Sequence, residues 1–504
     1  MSKAVIYFVK LPIIGFNKTR LQGFLPKEDI HHLSIYLLSK TFKELQLLDA
    51  EVLVFVTPAD RKDEISHYLD VEKSKIFTQT ECDHLGDRMR IAMKQAFDMG
   101  YKKVALVGCD LVDITKELIE EVFRQLDSHD VVFAPTADGG YGIAASRKYT
   151  PEMFEITEYS HDQVFCQSKA TVEAAGLTCG YTQLIHDLDT RDDVAKYLAN
   201  DPTAIFLNQG EYNANFLIED GKKILRIALG SQMHLDNQIE YEFLALKGLA
   251  SSGVVPTVYH CQVKTDILGK GFLIEEYLPG RPLNYNEDLK IAAELLAKVH
   301  NVDSEQIPSL IVAEQPFQVM YEEFLEMFRH YQDWRHKDLI VEAKISSLLA
   351  SLANYDREQE LEDPCVINTE LNSHNFIINP EGRSYIIDWE KPLIGEKEQD
   401  LAHFLAPTTT LWRTNVSLDR DQIYQFVETY NIKSNKPIKT EKLKQYLHFT
   451  CLRGITWCSM AYVQYLESSK VKNNDQAFET ISKFISLPFL EQIEDYIEML
   501  GEIV

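Results

Sequence analysis

The chain has 504 residues, which at ~150 residues per domain suggests about three folding units or two large ones. Its 51 Lys and Arg residues face 77 Asp and Glu, a formal charge of −26, which argues against general attraction to nucleic acid or to an anionic membrane. With 45% hydrophobic and 25% charged residues the composition is that of a globular protein, and it excludes disorder, collagen and a mucin-like stalk.

The first 200 residues alternate β-branched runs with amphipathic stretches. AVIYFV (4–9) precedes a helical pattern over about 29–48, EVLVFV (51–56) precedes a second, and KVALVG (103–108) and DVVFAP (130–135) continue the series. Such alternation predicts a mostly parallel sheet covered by helices on both faces, with ligands at the carboxyl ends of the strands. Near Asn200 the pattern changes to a hairpin (205–218), KKILRIAL (222–229), a helix near 236–252 and the strand-like GFLIEEYL (271–278). From about 284 helices dominate, interrupted by 366–378 and 385–392. The reading is a two-part chain: residues 1–200 form a Rossmann-like α/β domain, and 204–504 a small β-rich lobe followed by a helical one.

No stretch approaches the roughly 18 to 20 apolar residues that span a bilayer. Met1 leads directly into a strand without a basic leader, so a cytoplasmic protein is expected. The eight cysteines lack a CxxC or a close Cys/His cluster, which argues against zinc and a disulfide framework.

Four clusters of the N-terminal part follow predicted strands. KLPIIGFNKTRL (10–21) sets Lys10, Lys18 and Arg20 on a loop containing Gly15, and cations with loop N–H groups suit a phosphate chain. In HLGDRM (84–89), Gly86 opens a helix and permits close backbone approach, although a plain helix cap explains it equally well. VALVGCDLVD (104–113) ends a buried strand at Asp110; a carboxylate there is costly unless it binds something, and Mg²⁺ is a suitable ligand. The fourth cluster is split between APTADGGYG (134–142) and HDLDT (186–190). Asp138 fits a simple turn. Asp187 and Asp189 alternate along a short strand, so at most one joins Asp110, and Asp189 is the choice.

In this order the motifs KxPxxGxxKTRL, LGDRM, GxD, P-x-x-DGGY and D-x-D-T resemble the arsenosugar-biosynthesis-type glycosyltransferase family, over about residues 3–199. Its GT-A relatives include the guanylyltransferase for phospholactate. The resemblance implies a nucleotide-binding Rossmann-like fold with a metal at Asp110. Here the family's GSDxP reads GCDLV, with Val112 at the proline position. Such a fold transfers either a sugar or a nucleotidyl group. Lys18 and Arg20 favour nucleotidyl transfer, because a triphosphate needs more cationic neutralisation.

In the C-terminal part, NTELNSHNF (368–376) and IIDWE (386–390) bring Glu370, Asn375 and Asp388 into one short stretch. Phosphoryl transfer needs a carboxylate beside the attacking hydroxyl, plus an amide oxygen and a second carboxylate for Mg²⁺. Taken singly, Asn375 and Asp388 fit hairpin turns. Together the segments resemble the aminoglycoside phosphotransferase and choline kinase superfamily, from about Ile205 to at least His403. That resemblance implies a two-lobed kinase-like fold that uses ATP or another nucleoside triphosphate. It assigns Asn375 and Asp388 as metal ligands, Arg226 as the phosphate-contacting cation and Glu242 as its acidic partner. Two positions depart from the pattern: Arg226 replaces lysine, and NTEL stands where HGDL is expected, so the base becomes Glu370. His300 and His403 are read as packed, His374 as a solvated loop histidine, and FLAPTTTLW (404–412) as core.

The function expected is a bifunctional transferase. Its C-terminal part phosphorylates a small alcohol with ATP, and its N-terminal part joins the phosphomonoester to a nucleotide. The alternatives are a nucleotide-sugar-dependent glycosyltransferase fused to a small-molecule kinase, or to an inactive kinase-like binding module. The expected partners are small molecules, without nucleic acid; the sequence leaves the oligomeric state open.

Overall fold

A computed structural model describes residues 2–159, 161–467 and 475–500. The chain divides into two compact units, residues 1–229 with 263–272, and 230–262 with 273–504.

Unit 1 contains β1 (Lys3–Lys10), α1 (Lys27–Gln46), β2 (Glu51–Thr57), β3 (Ile76–Thr78), α2 (Leu85–Asp98), β4 (Lys103–Gly108), α3 (Lys116–Gln125), β5 (Val131–Pro135), β6 (Tyr141–Ser146), α4 (Val164–Ala174), β7 (Cys179–Tyr181) and α5 (Arg191–Ala199). The seven strands lie in the order β3-β2-β1-β4-β6-β5-β7. Every pairing is parallel except those of β6, which is antiparallel to both β4 and β5. The sheet is therefore mixed but mostly parallel.

Alternation along β1 shows how helices come to cover both faces. Val5, Tyr7 and Val9 join a core with Leu38 and Phe42 of α1 and Ile119 and Val122 of α3. Ala4 and Ile6 join a separate core with Met89 and Met93 of α2 and Val172 of α4. A strand buried on both sides carries no polar alternation, which is why AVIYFV reads as one apolar run. Unit 1 also carries the antiparallel strands β8 (Ile205–Gln209), β9 (Asn213–Ile218) and β10 (Lys223–Ala228).

Unit 2 contains α6 (Gln238–Leu249), β11 (Val258–Gln262) and most of β12 (Phe272–Glu276), then β13 (Arg281–Pro282), α7 (Leu289–His300), α8 (Pro316–Asp333) and α9 (Leu339–Ala350). Short strands β14 (Cys365–Ile367), β15 (Phe376–Ile378), β16 (Tyr385–Ile386) and β17 (Leu393–Gly395) follow. The remaining helices are α10 (Lys397–Leu405), α11 (Pro407–Arg413), α12 (Arg420–Lys433), α13 (Thr440–Glu467), α14 (Asp475–Phe484) and α15 (Leu487–Leu500). Strand β15 pairs with both β13 and β16, and β14 pairs with β17, all antiparallel. Phe317 of α8 packs on Tyr446 and Phe449 of α13 at ring-centroid distances of 4.2 and 4.9 Å, a contact that fixes the two longest helices of this core. Thr408, Thr409 and Thr410 are buried, so the 404–412 run is core. Among the described residues no helix is long and apolar enough to cross a membrane.

Candidate functional site

In unit 1 the candidate residues gather where the central strands end. β1 runs into a loop in which Gly15 turns at φ +80° and Lys18 at φ +46°, just before a short 3-10 turn at Thr19–Leu21. The Lys18 side chain is 2% exposed, and its Nζ lies 2.9 Å from Asp110 Oδ1 and 3.3 Å from Asp189 Oδ1. It also donates to the Leu188 carbonyl at 2.9 Å. Burial alone would pull the Lys18 pKa down, but the Asp110 and Asp189 carboxylates more than reverse this, and the ammonium is held above its ordinary value. The Asp189 carboxyl is raised, by burial first, against the opposing pull of Lys18.

Asp110 follows β4, and its segment is joined to residues 185–189, which form isolated bridges rather than the short strand expected from the sequence. Leu111 bridges Asp187, Val112 N donates to the His186 carbonyl at 3.1 Å, and Leu188 N donates to the Asp110 carbonyl at 3.4 Å. Val112 is buried at the position where the resemblance leads one to expect proline. Asp189, and not Asp187, stands beside Asp110. The Asp187 carboxyl is pushed up to about 7 by burial and then by the charges of Asp138, Asp189 and Asp193. Asp138 is a turn residue, accepting from Thr136 Oγ1 at 2.6 Å and Gly140 N at 3.0 Å. Arg20 is exposed, and its charge opposes the rise at Asp189. Lys10 lies over the Phe16 ring, 4.4 Å from its centroid.

Gly86 sits in the first turn of α2, which the His84 side chain caps by accepting from Asp87 N. A Cβ there would meet the Phe154 carbonyl and the Tyr159 hydroxyl, each at 2.7 Å. The close approach at Gly86 is thus made by the protein's own chain.

In unit 2 the 368–375 loop is held from below by one carboxylate. Asp400 of α10 is fully buried and accepts from Asn368 N and Thr369 N, each at 2.7 Å. His300 Nε2 stands 3.3 Å from the same carboxylate, and Tyr430 Oη 2.8 Å from His300 Nδ1. Thr369 takes φ +75°, costly for a β-branched residue, and its Oγ1 donates to the Lys391 carbonyl at 3.0 Å. Asn368 Nδ2 donates to the Asp388 carbonyl at 2.8 Å, and Asp388 itself has φ +65°. Asn375 Nδ2 stands 3.3 Å from Asp388 Oδ2, so the two proposed metal ligands are adjacent. Asn375 Oδ1 accepts from Asn372 N at 3.0 Å and keeps its second lone pair.

Glu370 is 37% exposed, accepts from Gln232 Nε2 at 2.8 Å and lies 3.8 Å from Lys391 Nζ. Arg226 is buried on β10 in unit 1. Glu242 is buried on α6 in unit 2 and accepts from Gln238 Nε2 at 3.2 Å. His300 is packed, as the sequence suggests. His403 is partly buried, with a pKa pushed down to about 3 by burial and then by Arg453 and Lys391. Sequence reasoning missed Gln232, Lys391, Arg453 and Asp400; only Lys391, directly after IDWE, carried a signal by position.

Both groups of donors fit a hard divalent cation. Asp110, Asp189 and the Leu188 carbonyl aim oxygens at one point where an ammonium now sits, and the Asn375 amide nitrogen faces Asp388 Oδ2, so Asn375 would bring its oxygen to a cation held by Asp388 with the amide turned over. Mg²⁺ is commonly held by one or two carboxylates with substrate phosphates completing the shell. Among the described residues no three His, Cys, Asp or Glu converge as a preformed metal cluster.

Comparison with known proteins gives a different relative for each part. Residues 29–161 match the family described as "uncharacterized protein conserved in bacteria (DUF2064)", and 203–431 match the phosphotransferase enzyme family. The 2-phospho-L-lactate guanylyltransferase of Methanocaldococcus jannaschii is 30% identical over 138 residues, covering 27% of this chain and 57% of that protein. Human acyl-CoA dehydrogenase family member 11 is 26% identical over 216 residues, 39% of this chain and 26% of that protein. The chain thus spans about a quarter to just over half of these relatives. Among solved structures, spectinomycin phosphotransferase with ADP and spectinomycin is 14% identical with a TM-score of 0.45, covering 58% of this chain and 93% of that one. A Desulfovibrio desulfuricans protein assigned as a nucleotide-diphospho-sugar transferase is 27% identical with a TM-score of 0.38, covering 40% and 89%. The chain therefore joins a nucleotidyltransferase-like region matching the DUF2064 family to a region matching the phosphotransferase enzyme family.

Proposed function

We propose that the chain carries out two successive group transfers, phosphorylation of a small hydroxyl compound in unit 2 and nucleotidyl transfer to the resulting phosphomonoester in unit 1. The observation that carries the first step is the loop anchored on Asp400, which sets Glu370 on the same short segment as the adjacent Asn375 and Asp388. Glu370 takes the proton of the acceptor hydroxyl as its oxygen attacks the γ-phosphorus of ATP; the bond to the bridging β–γ oxygen breaks and ADP departs. Asn375 and Asp388 would hold Mg²⁺, which when bound neutralises charge on the phosphates. Glu242 is assigned to the nucleotide side of unit 2.

In unit 1 the acceptor phosphate oxygen attacks the α-phosphorus of a nucleoside triphosphate, and pyrophosphate leaves. Asp110 and Asp189 would hold the metal there, with Lys18 and Arg20 serving the triphosphate. Gly15 belongs to the phosphate-side loop in this reading, whereas Gly86 packs against the protein's own 154–159 segment. The match to a 2-phospho-L-lactate guanylyltransferase supports a phosphomonoester as the acceptor.

The test supplies the full chain with ATP, GTP, Mg²⁺ and a panel of small hydroxyl compounds. Pyrophosphate should appear only with an acceptor that also yields ADP. Glu370→Gln should lose ADP formation by ~100-fold or more yet still release pyrophosphate when 2-phospho-L-lactate is supplied directly, whereas Asp110→Asn should do the reverse. Pyrophosphate release from an unphosphorylated acceptor in Glu370→Gln would sink the proposal.

A further inference from the structure

Among the described residues, Lys391, which stands near Glu370, and Arg453, whose charge acts on Lys391, have no closely placed carboxylate partner. Lys391, between β16 and β17, is three-quarters buried, and its Nζ stops 3.8 Å from Glu370 Oε1, beyond hydrogen-bond reach. Arg453 of α13 is also three-quarters buried; its Nε stands 3.5 Å from Oε2 of Glu323 on α8, a side chain 42% exposed. Among the described residues neither cationic head makes a hydrogen bond. Lys103–Asp127 and Arg281–Asp288 close to 2.6 Å, whereas the buried Lys397–Glu398 pair stays at 3.5 Å. The Lys391 pKa is lowered, by burial first and then by Arg453, while Glu370 and Glu323 oppose the shift. His403 faces the same two cations and stays neutral, so it adds no charge.

Half-satisfied cations in a partly dry site are costly unless a ligand completes them. In a chain with a formal charge of −26, two such cations beside a candidate base are not a product of composition. A cationic acceptor placed here would meet like charge at close range. An anionic one would supply the missing acceptor oxygens, with the Arg453 fork suited to a carboxylate.

We infer that the acceptor phosphorylated at this site is a small hydroxy carboxylate, its hydroxyl on Glu370 and its carboxylate on Lys391 and Arg453. The inference rests on the kinase reading of unit 2 and names its substrate class. Lys391 Nζ lies 3.8 Å from Glu370 Oε1, so a hydroxyl and a carboxylate of one small molecule can reach both. Lys391 and Arg453 are specificity-determining residues, and neither takes the proton.

The test measures ADP formation by the full chain with ATP and Mg²⁺ on glycolate, L-lactate and D-glycerate, against L-lactamide, glycerol, choline and kanamycin. The best carboxylate should exceed lactamide in kcat/KM by at least tenfold, since a hydrogen bond to a charged group contributes roughly a factor of 10 to 100. Lys391→Met and Arg453→Gln should each raise KM for that carboxylate about 10- to 100-fold with kcat changed far less, leave KM for lactamide in place, and regain affinity in Lys391→Arg and Arg453→Lys. Preferred phosphorylation of choline, kanamycin or glycerol would overturn the substrate class while leaving the kinase reading intact. Unchanged KM in both variants would overturn it as well. If no acceptor turns over, L-lactate, glycolate and D-glycerate are titrated into the ADP-loaded chain by calorimetry. Heat that is lost in Lys391→Met supports the inference, and absence of binding by all three overturns it. Failure to bind ATP or ADP at all would instead bring down the kinase reading.

Discussion

Replacing Lys18 by methionine should reveal the oxygen cluster that its ammonium now fills. The side chain is 2% exposed and makes three polar contacts, to Asp110, Asp189 and the Leu188 carbonyl. At about 1.5–3 kcal/mol per charge-assisted hydrogen bond the gross loss approaches 4–9 kcal/mol. The carboxylates regain most of this from water, since Asp110 and Asp189 are 48% and 37% exposed, and methionine refills the space of the lysine stem. A net destabilisation of about 2 kcal/mol remains, or roughly 4–8 °C in the unfolding of a unit of this size. Thermal unfolding followed by circular dichroism should then show Lys18→Met recovering most of that shift in millimolar Mg²⁺, because a cation at a hundred times its Kd stabilises by about 2.7 kcal/mol. The unaltered chain should respond less, its own ammonium competing for the same oxygens. Adding Asp110→Asn and Asp189→Asn should abolish the Mg²⁺ response. A response that survives both, or a Lys18→Met chain that melts with the parent, refutes the reasoning.

Two further expectations concern unit 1. Asp187, with a carboxyl raised from 3.8 to about 7, binds its proton more tightly folded than unfolded, so it lowers stability as pH rises from about 4 to 7 and then levels off. At 1.36 kcal/mol per pKa unit the ceiling is about 4 kcal/mol before solvent screening; Asp187→Asn should flatten this part of the stability–pH curve measured by urea titration, and an unchanged slope would exclude the assignment. Gly86→Ala should cost about 1–3 kcal/mol in the same titration through its clash with the Phe154 carbonyl, and a neutral result would mean that the 154–159 segment yields freely.

The alternation of apolar runs and helical stretches was enough to read the parallel core of unit 1, because strands buried on both faces leave no other pattern. The single reversed strand, β6, was not legible: YGIAAS looks the same in either direction, and its orientation is set by the short Asp138–Gly140 turn after β5. Asp110 and Asp189 stood out as carboxylates at strand ends. That Lys18 would lie between them did not, since the partners are far apart in sequence and only the sheet brings them together. In unit 2, Glu370, Asn375 and Asp388 sit within one short stretch and announce themselves by identity. Lys391 and Arg453 do not, because a cation's lack of a close partner is a property of three-dimensional packing. Asp400 was hidden for the opposite reason, as an acidic residue in an amphipathic helix usually faces water.

The grip of Asp400 on the 368–375 loop is made to main-chain amides alone. Any residue but proline has an N–H in those places, so this anchoring does not depend on which side chains the loop displays. Such a mounting lets Asn-Thr-Glu occupy a track where His-Gly-Asp was expected, and leaves the tip of the loop open to chemical variation without rebuilding the base beneath it.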